Sequence, residues 1–444
     1  MSGRRRRALI GLGIGLALAD SSVVTLALPD ILRQFDVEIP EVAWVLTSYN
    51  LVLALAAVPA AYAARRRPVP AFAIGTLVFA AASLACGLAP SFGVLVGARC
   101  VQAVGGALLV CAALDLLSEA DGGHSDARAV RTWASAGVAG AALGPAAGGI
   151  LTETLGWESI FLVQAPLALV TLLACWRLRV RPLAEPAGRP NVPANLALLL
   201  VSGALTAALF LLVLLLVDGW RISPAAAGIV VTIMPAAAIA TSAVAGRFGG
   251  LLTRAACGCV LIAGGLTALG VLPGSAWWWT IAPQILVGAG LGLTLSALTE
   301  RALQGRSPQA VHGGWTIASR HAGVVIGLLL LSPVFASALE RNQDEALRAG
   351  AAAVLDSTIP PLDKIRVAQD VLVQVNEADG QVPDIAPAFA TRPETEEYES
   401  LLAKLQDQLE RAVTDAFSGP FFVASALALA ALVPLWLRRR EGGL

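Results

Sequence analysis

The sequence predicts an all-α membrane protein with twelve spanning helices in two groups of six. Of its 444 residues, 57% are hydrophobic and only 14% are charged, and the mean hydropathy is +0.73. Soluble domains are usually about 45–50% apolar and about 25% charged, so this apolar excess requires lipid around it. A helix that crosses the hydrocarbon core needs about 20 apolar residues, and twelve such runs occur along the chain.

The runs fall on either side of a polar linker that contains four arginines, at residues 177–194. Spans 1 to 6 are predicted at 8–28, 43–64, 70–90, 93–118, 129–152 and 157–176. Spans 7 to 12 are predicted at 195–217, 223–245, 254–272, 277–299, 313–338 and 419–437. We therefore expect an N-terminal domain at 1–176, a cytoplasmic linker at 177–194 and a C-terminal domain at 195–444.

The positive charges collect on one side of the predicted membrane. With the N-terminus inside, the inner segments contain 20 Lys and Arg residues, whereas the short outer loops contain only Arg33 and Arg221. Cytoplasmic loops of membrane proteins carry an excess of Lys and Arg. This bias predicts a multi-pass plasma-membrane protein with both termini in the cytoplasm.

One long segment, 340–416, does not fit the lipid pattern. It contains 16 acidic and 7 basic residues, a net charge of −9, and the topology places it outside, between spans 11 and 12. Apolar residues recur at helical spacing in Pro393–Val413, which indicates a helix there. We expect an acidic extracytoplasmic loop, solvated or folded into a small helical cap, and accessory to the main function.

Ionisable residues within spans are costly and rare, so each one is a functional candidate. Asp20 in span 1 lies about 3 Å outward of the middle of its predicted run, and Arg99 in span 4 lies about 10 Å outward of its own. A long arginine side chain crosses the difference of about 7 Å. We therefore predict that the two residues pair and have a functional role.

Other polar side chains within the apolar runs are candidates for a substrate cavity. They comprise Tyr49, Asn50, Gln102, Gln284, Trp315 and Arg320. Arg320 and its neighbour His321 lie in span 11, where Arg320 either faces a cavity or extends its guanidinium towards the headgroups.

Span 5 contains a dense run of glycines. Gly140, Gly144 and Gly148 repeat every four residues and therefore share one face of the helix, where a neighbouring helix can approach closely. Pro145 removes a backbone donor and favours a bend, and Gly149 follows directly on Gly148. This pattern predicts a helix that packs closely and bends.

Three segments carry a family resemblance. Gly140–Gly149 reads GAALGPAAGG, Leu16–Ile31 reads LALADSSVVTLALPDI, and Ala98–Leu108 reads ARCVQAVGGAL. They resemble the major facilitator superfamily, in its drug:proton antiporter branch. The first is similar to the antiporter motif GxxxGPxxGG in full, and the second to an acid-containing motif that ends in Ala-Leu-Pro. The third resembles RxxQGxG, with Ala103 in place of the first glycine.

One segment departs from the family pattern. In relatives, the loop between spans 2 and 3 follows the pattern GxLaDRxGRR, and its acid helps to keep the inward gate closed. Here Ala60–Pro70 reads AAYAARRRPVP, which keeps the arginines but contains neither that glycine nor that acid.

The resemblance implies two six-helix bundles around a central cavity, related by a pseudo-two-fold axis along the membrane normal. It also implies alternating access and export of a hydrophobic or amphiphilic small molecule by proton antiport. The proton gradient would then supply the energy, with Asp20 and Arg99 as the proton-coupling residues and with no cofactor, metal or nucleic acid. The partners would be the substrate and membrane lipids, with the 340–416 loop as the surface for an extracytoplasmic partner.

Two other functions fit parts of the sequence. One is an uncoupled carrier of a lipid or metabolite, which the Ala, Leu and Val content of the spans suits. The other is a non-transporting membrane receptor or scaffold whose working part is the acidic loop, although a scaffold needs neither Asp20 nor Arg99. An enzyme is not predicted, since no nucleophile with a base, metal cluster or phosphate loop is found in the sequence.

Overall fold

The computed structural model describes residues 2–120, 126–180, 187–377, 384–390, 392–393 and 395–441. Secondary structure in these residues is helical, without strands, and twelve helices are long and apolar enough to cross a membrane. The predicted fold class and number of spans are therefore confirmed. Residues 181–186 of the predicted linker lie outside the described part of the chain.

The first six spans form one bundle. Their helices are Gly3–Thr25, Ile39–Ala64, Pro68–Gly87, Phe92–Ala120, Asp126–Leu155 and Glu158–Thr171. The helix of span 1 begins and ends earlier than the predicted 8–28. The hydroxyl of Ser2 caps its first turn by accepting from the Arg5 N–H at 3.4 Å, and Pro29 lies in the first turn of a separate short helix, Leu28–Phe35.

The last six spans form the second bundle. Spans 7 to 10 are Val192–Leu214, Pro224–Val231 continued by Ile233–Val244, Leu251–Leu269, and Ile281–Leu303. Spans 11 and 12 are Gln309–Asp356, and Ser418–Ala430 continued by Leu432–Glu441. We call the membrane face at which the chain begins the terminal face, and the opposite face the cap face.

The helix of span 11 does not end near residue 338, although the predicted membrane part agrees with the span at Gln309–Phe335. It continues for 48 residues to Asp356, about 70 Å at 1.5 Å per residue, which is more than twice a hydrocarbon core of about 30 Å. Two further helices pack beside the projecting part, the first cap helix Pro361–Glu377 and the second cap helix Glu396–Ala416. The helix predicted at Pro393–Val413 is confirmed by the second of these.

The projecting helices form a folded cap with its own hydrophobic core, not a solvated chain. The core consists of Ala353, Val354, Ile359, Val367, Ile385, Ala388, Phe389, Tyr398, Leu401 and Leu405. The expectation of a helical cap is confirmed, and that of a wholly solvated loop is wrong, because the apolar residues of the segment repeat at helical spacing and bury one another.

The cap is fixed to the cap-face ends of the second bundle. Trp220 Nε1 donates to Thr414 Oγ1 at 3.0 Å, and Arg221 pairs with Asp384 at 3.0 Å. Partial burial raises the pKa of Asp384, but the Ala386 N–H and the Arg221 guanidinium stabilise its carboxylate and bring the pKa below its usual value. The ion pair therefore holds the cap at neutral pH.

Candidate functional site

An ion pair inside the first bundle joins span 1 to span 4. Arg99 Nη1 donates to Asp20 Oδ2, and both side chains are 0% exposed. Measured from the middles of their helices, Asp20 lies about 9 Å and Arg99 about 10 Å towards the cap face. The predicted axial gap of about 7 Å is wrong, because the helix of span 1 begins at Gly3. The pairing itself agrees with the prediction.

Gln102 extends this pair into a polar network. Its Oε1 accepts from Arg99 Nη1 at 2.7 Å, and its amide nitrogen lies 3.3 Å from Asp20 Oδ1. The same nitrogen lies 2.9 Å from Ser83 Oγ and 3.0 Å from Gln164 Oε1. Sequence reasoning missed Ser83 and Gln164, although a polar residue within each of spans 3 and 6 was an available signal.

Aromatic rings enclose the guanidinium of Arg99. Its Cζ lies 4.3 Å from the ring centre of Tyr49 and 5.6 Å from that of Phe161, distances at which a ring face attracts a cation. The Tyr49 hydroxyl donates to the Ala17 carbonyl at 2.8 Å, and Arg99 Nε donates to the Val45 carbonyl at 3.1 Å. In this structure Tyr49 and Gln102 are fully buried partners of Arg99, not walls of an open cavity.

Asn50 connects the two bundles at the level of Ser21, the neighbour of Asp20. Its Nδ2 donates to the Leu46 carbonyl at 2.7 Å and lies 3.0 Å from Ser21 Oγ. Its Oδ1 lies 2.7 Å from Nδ1 of His321, in span 11. Because an amide oxygen only accepts, Nδ1 of His321 carries the shared hydrogen. The sequence singled out Asn50 but not its partner in the other bundle.

The glycine face of span 5 packs directly on the backbone of span 1. An added β carbon would lie 2.3 Å from the Gly15 carbonyl oxygen at Gly140, 2.1 Å from Ser22 Oγ at Gly144, and 2.2 Å from the Val23 carbonyl oxygen at Gly148. No side chain fits at such distances, so the close approach predicted from the spacing is confirmed. The contact presses span 1, which carries Asp20, against span 5.

The end of the same motif contacts span 8 of the other bundle, at the cap-face side. A β carbon added at Gly149 would lie 2.3 Å from the Pro224 carbonyl oxygen, and one added at Gly228 would lie 2.6 Å from that of Pro145. Glu153 accepts from the Ala225 N–H at 2.9 Å. That acceptor satisfies a free donor at the start of the span 8 helix, where a negative charge is favourable.

Small residues also close the terminal-face side of the interface. A β carbon added at Gly314 of span 11 would lie 2.6 Å from the Ala61 side chain and 3.0 Å from the Ala57 carbonyl oxygen of span 2. One added at Gly313 would lie 3.3 Å from Leu114 of span 4. Ala57 lies just before the Ala60–Pro70 segment, which has no acid, and Ala61 lies within it. The bundles therefore meet here through apolar packing.

The remaining cavity candidates do not join the network around Asp20. Gln284 is fully buried and donates to Thr280 of the adjoining turn at 2.9 Å, while its Oε1 has no partner among the described residues. Trp315 is 37% exposed and lies about 140° around the helix from Arg320. The two residues of span 11 therefore do not face one space.

Arg320 faces the first bundle. Gly313, two turns earlier on the same face, contacts Leu114 of span 4. Arg320 is half-buried, and no carboxylate among the described side chains pairs with it. It therefore contributes a positive charge to the interface between the bundles, whereas the charge of Asp20 is balanced by Arg99.

The Asp20 carboxylate is held by one cation, Arg99, and one amide, Gln102. The described part of the chain has no group of three His, Cys, Asp or Glu side chains placed to hold a metal ion. Its six cysteines are all free thiols.

The overall architecture is similar to that of a solved transporter. The chain aligns with a bacterial homolog of the human lysosomal transporter Spinster, in an inward-facing and unoccupied conformation, with a TM-score of 0.60. The alignment covers 98% of each chain at 15% sequence identity. A likeness at this identity shows the fold alone.

Three curated proteins similar in sequence each match less than half of this chain. Multidrug resistance protein Stp of Mycobacterium tuberculosis is 36% identical over 200 residues, 44% of this chain and 37% of that protein. Drug efflux pump JefA of the same species is 34% identical over 181 residues, 39% and 35% of the two chains. The Methylenomycin A resistance protein of Bacillus subtilis is 30% identical over 203 residues, 45% and 43%.

The match to these three relatives spans between a third and a half of their length. The family model described as Major Facilitator Superfamily matches residues 10–328, which run from within span 1 to within span 11. With its twelve spans in two bundles, the chain belongs to the Major Facilitator Superfamily.

Proposed function

We propose that the chain is a secondary active transporter that exports a hydrophobic or amphiphilic small molecule in exchange for protons. The observation that carries the proposal is the fully buried Asp20–Arg99 pair on two helices of the first bundle. A buried ion pair is weak evidence for stability, because desolvating two charges offsets their attraction. Its presence in an apolar bundle is better explained by a charge that changes during the working cycle.

Alternating access would operate through the contacts between the bundles. At the cap-face side they consist of the span 5 motif against span 8, and at the terminal-face side of Gly314 against span 2. Both are small-residue contacts with few polar bonds, so each can separate while the other stays closed. We propose that the bundles rock about the level at which Asn50 meets His321.

Proton coupling would follow from the surroundings of Asp20. While it is paired with Arg99 and bonded by Gln102, the ionised form is stabilised. When the cap-face contacts open, water reaches this level, and a proton from an acidic exterior neutralises the carboxylate. Arg99 then loses its partner, which favours a rearrangement. The proton leaves when the terminal face opens to the cytoplasm.

The proposed direction and cargo rest on charge distribution and on relatives. The excess of Lys and Arg on the terminal face supports cytoplasmic termini in a plasma membrane. The names of the relatives, a multidrug resistance protein and a drug efflux pump among them, support export of hydrophobic or amphiphilic compounds. The twelve-span division suggests functional domains at 1–176 and 195–444, joined by the linker at 177–194.

The experiment is transport in proteoliposomes with an imposed pH gradient. Ethidium, puromycin and Nile red serve as cationic, amphiphilic and neutral probes, with an internal pH dye as the second signal. We expect at least one probe to move only when a pH gradient is present, and a matched proton flux in the opposite direction. Probe movement that neither responds to the gradient nor changes internal pH would reject antiport.

A second candidate is an uncoupled carrier of an apolar compound. It is favoured by the complete neutralisation of Asp20 by Arg99 in a region with no exposure, since such a pair can merely fix span 1 to span 4. In the first candidate the Asp20 carboxylate exchanges a proton, and in the second it only fixes span 1 to span 4. A substitution that removes the charge of Asp20 distinguishes the two.

A further inference from the structure

The cap contains a pocket of about 480 Å³. It lies between the projecting part of span 11, the first cap helix and the second cap helix. Its walls are mainly apolar, and they include Ala351, Val354, Ile365, Leu372, Leu405 and Leu409. Ligand pockets in proteins measure about 300–1,000 Å³ and have mostly apolar walls with a few polar groups. In size and chemistry, the cap pocket matches that description.

One polar atom in the pocket lacks a partner. Oε1 of Gln408, a lining residue, is buried and accepts no hydrogen bond from any described residue. An unsatisfied buried acceptor is costly, and a bound donor would satisfy it. The ammonium of Lys364, also at the pocket, already donates to the Leu355 carbonyl at 2.5 Å. Gln408 Oε1 is therefore the buried acceptor of the pocket that has no partner among the described residues.

The first cap helix presents apolar side chains that its acidic surroundings do not cover. Ile365 is 59% exposed and Leu372 is 49% exposed, and both line the pocket. They belong to a segment with a net charge of −9, which opposes pairing with a second copy of the same cap by charge repulsion. A small apolar molecule can cover these side chains without bringing two acidic surfaces together.

The apolar lining of the pocket adjoins the core of the membrane bundles. Leu409, a lining residue, packs against both the cap core and the bundle core. One turn further along the same helix, Val413 is buried in the bundle core. The second cap helix therefore presents apolar side chains from the pocket to the bundle.

We propose that the cap pocket is a binding site for a mainly apolar small molecule with one hydrogen-bond donor, of the kind represented by a medium-chain alcohol. The apolar chain contacts the three helices, and the donor bonds to Oε1 of Gln408. This site is separate from the Asp20 network, and its existence does not depend on transport or on proton coupling.

The test is photolabelling of the full-length protein in lipid nanodiscs with a dodecanol analogue that carries a diazirine in its chain. Mass spectrometry of the digested protein locates the label. We expect label on residues 347–355 and 364–375 that is displaced by unlabelled dodecanol. Ala351→Trp fills the pocket from an exposed position and should abolish this label. Ala403→Trp, also exposed but outside the pocket, should leave it unchanged.

A second variant tests the donor. Dodecanol should displace the label at lower concentration than methyl dodecyl ether, which has no donor, and Gln408→Leu should remove that difference of about fivefold. Label confined to the membrane helices, or cap label that resists displacement or survives Ala351→Trp, would overturn the proposal. Concentration-dependent cross-linking between caps, with no label in the pocket, would assign the surface to a second copy and overturn it equally.

Discussion

Nδ1 of His321 lies 2.7 Å from Oδ1 of Asn50, and this contact joins span 11 of the second bundle to span 2 of the first. The orientation of the Asn50 amide is set by its donation to the Leu46 carbonyl. A buried hydrogen bond across the interface contributes about 0.5–1.5 kcal/mol. The cap-face and terminal-face contacts between the bundles both lie within a few turns of this hydrogen bond. Loss of the bond should therefore change how readily the bundles separate.

We expect His321→Ala to increase the fraction of molecules whose bundles are separated at the terminal face about twofold to tenfold. This range corresponds to the loss of one buried hydrogen bond. Single-molecule fluorescence transfer between dyes at residues 66 and 305, one on each bundle, measures this population. His312→Leu is the matched control, because His312 is a buried histidine of the same helix that does not bond to Asn50. Equal distributions for His321→Ala and the unsubstituted protein would contradict the proposed pivot.

Gly148→Ala should destabilise the protein and slow transport. Its β carbon would lie 2.2 Å from the Val23 carbonyl oxygen, and because backbone cannot rotate away, the overpacking should cost about 1–3 kcal/mol. Gly264→Ala is the control, since nothing lies within 4 Å of that position. Thermal unfolding in detergent and dye transport in liposomes measure the two effects. Normal stability of Gly148→Ala would show that the span 1 contact is looser than described.

Arg320→Gln should lower the transport of anionic amphiphiles by about tenfold or more and have little effect on cationic ones. The reason is that Arg320 faces the first bundle without a carboxylate partner among the described side chains. Uptake of anilinonaphthalene sulfonate and of ethidium measures the two classes. Arg320→Lys keeps the charge and should retain most anion transport. A parallel fall for both probes would assign Arg320 a structural role instead.

Val367→Asp should unfold the cap and leave the membrane bundles folded. Val367 is 0% exposed in the cap core, and burying an unpaired carboxylate there is costly. Trypsin should then cut at Lys364 and Arg366 faster than in the control Leu362→Asp, whose position is 73% exposed. If the cap is accessory, transport should continue. Loss of transport with both bundles intact would show that the cap is part of the pathway.

The twelve spans were predictable because an apolar run of about 20 residues has few alternatives to a membrane helix. The close packing of span 5 was predictable for a similar reason, since glycines at every fourth position leave one face of a helix bare. The start of span 1 was not predictable. Arg4–Arg7 have low hydropathy, yet they continue the helix that Ser2 caps.

The partners of the site residues were harder to foresee. The pairing of Asp20 with Arg99 was predicted, although from an axial gap that was wrong, and a role in proton coupling stays a prediction. Ser83 and Gln164 were missed, and His321 was noted only as the neighbour of Arg320, because a single polar residue in an apolar span does not reveal which helix it faces. The cap core was hidden by the acidic composition of 340–416, in which the apolar residues lie on one side of each helix.

The role of Asp20 in coupling transport to protons is tested by measuring proton-driven transport by Asp20→Asn. The substitution keeps the shape of the side chain and removes its charge, so Gln102 retains a bonding partner while Arg99 loses its counterion. In proteoliposomes with an imposed pH gradient and an internal pH dye, we predict that the variant binds the probe but neither accumulates it nor moves protons. Arg99→Lys should keep part of the activity, since a lysine keeps the charge but not the geometry. Retained coupling of probe and proton flux in Asp20→Asn would contradict a role of Asp20 in proton coupling. The ion pair would then be a structural contact between spans 1 and 4.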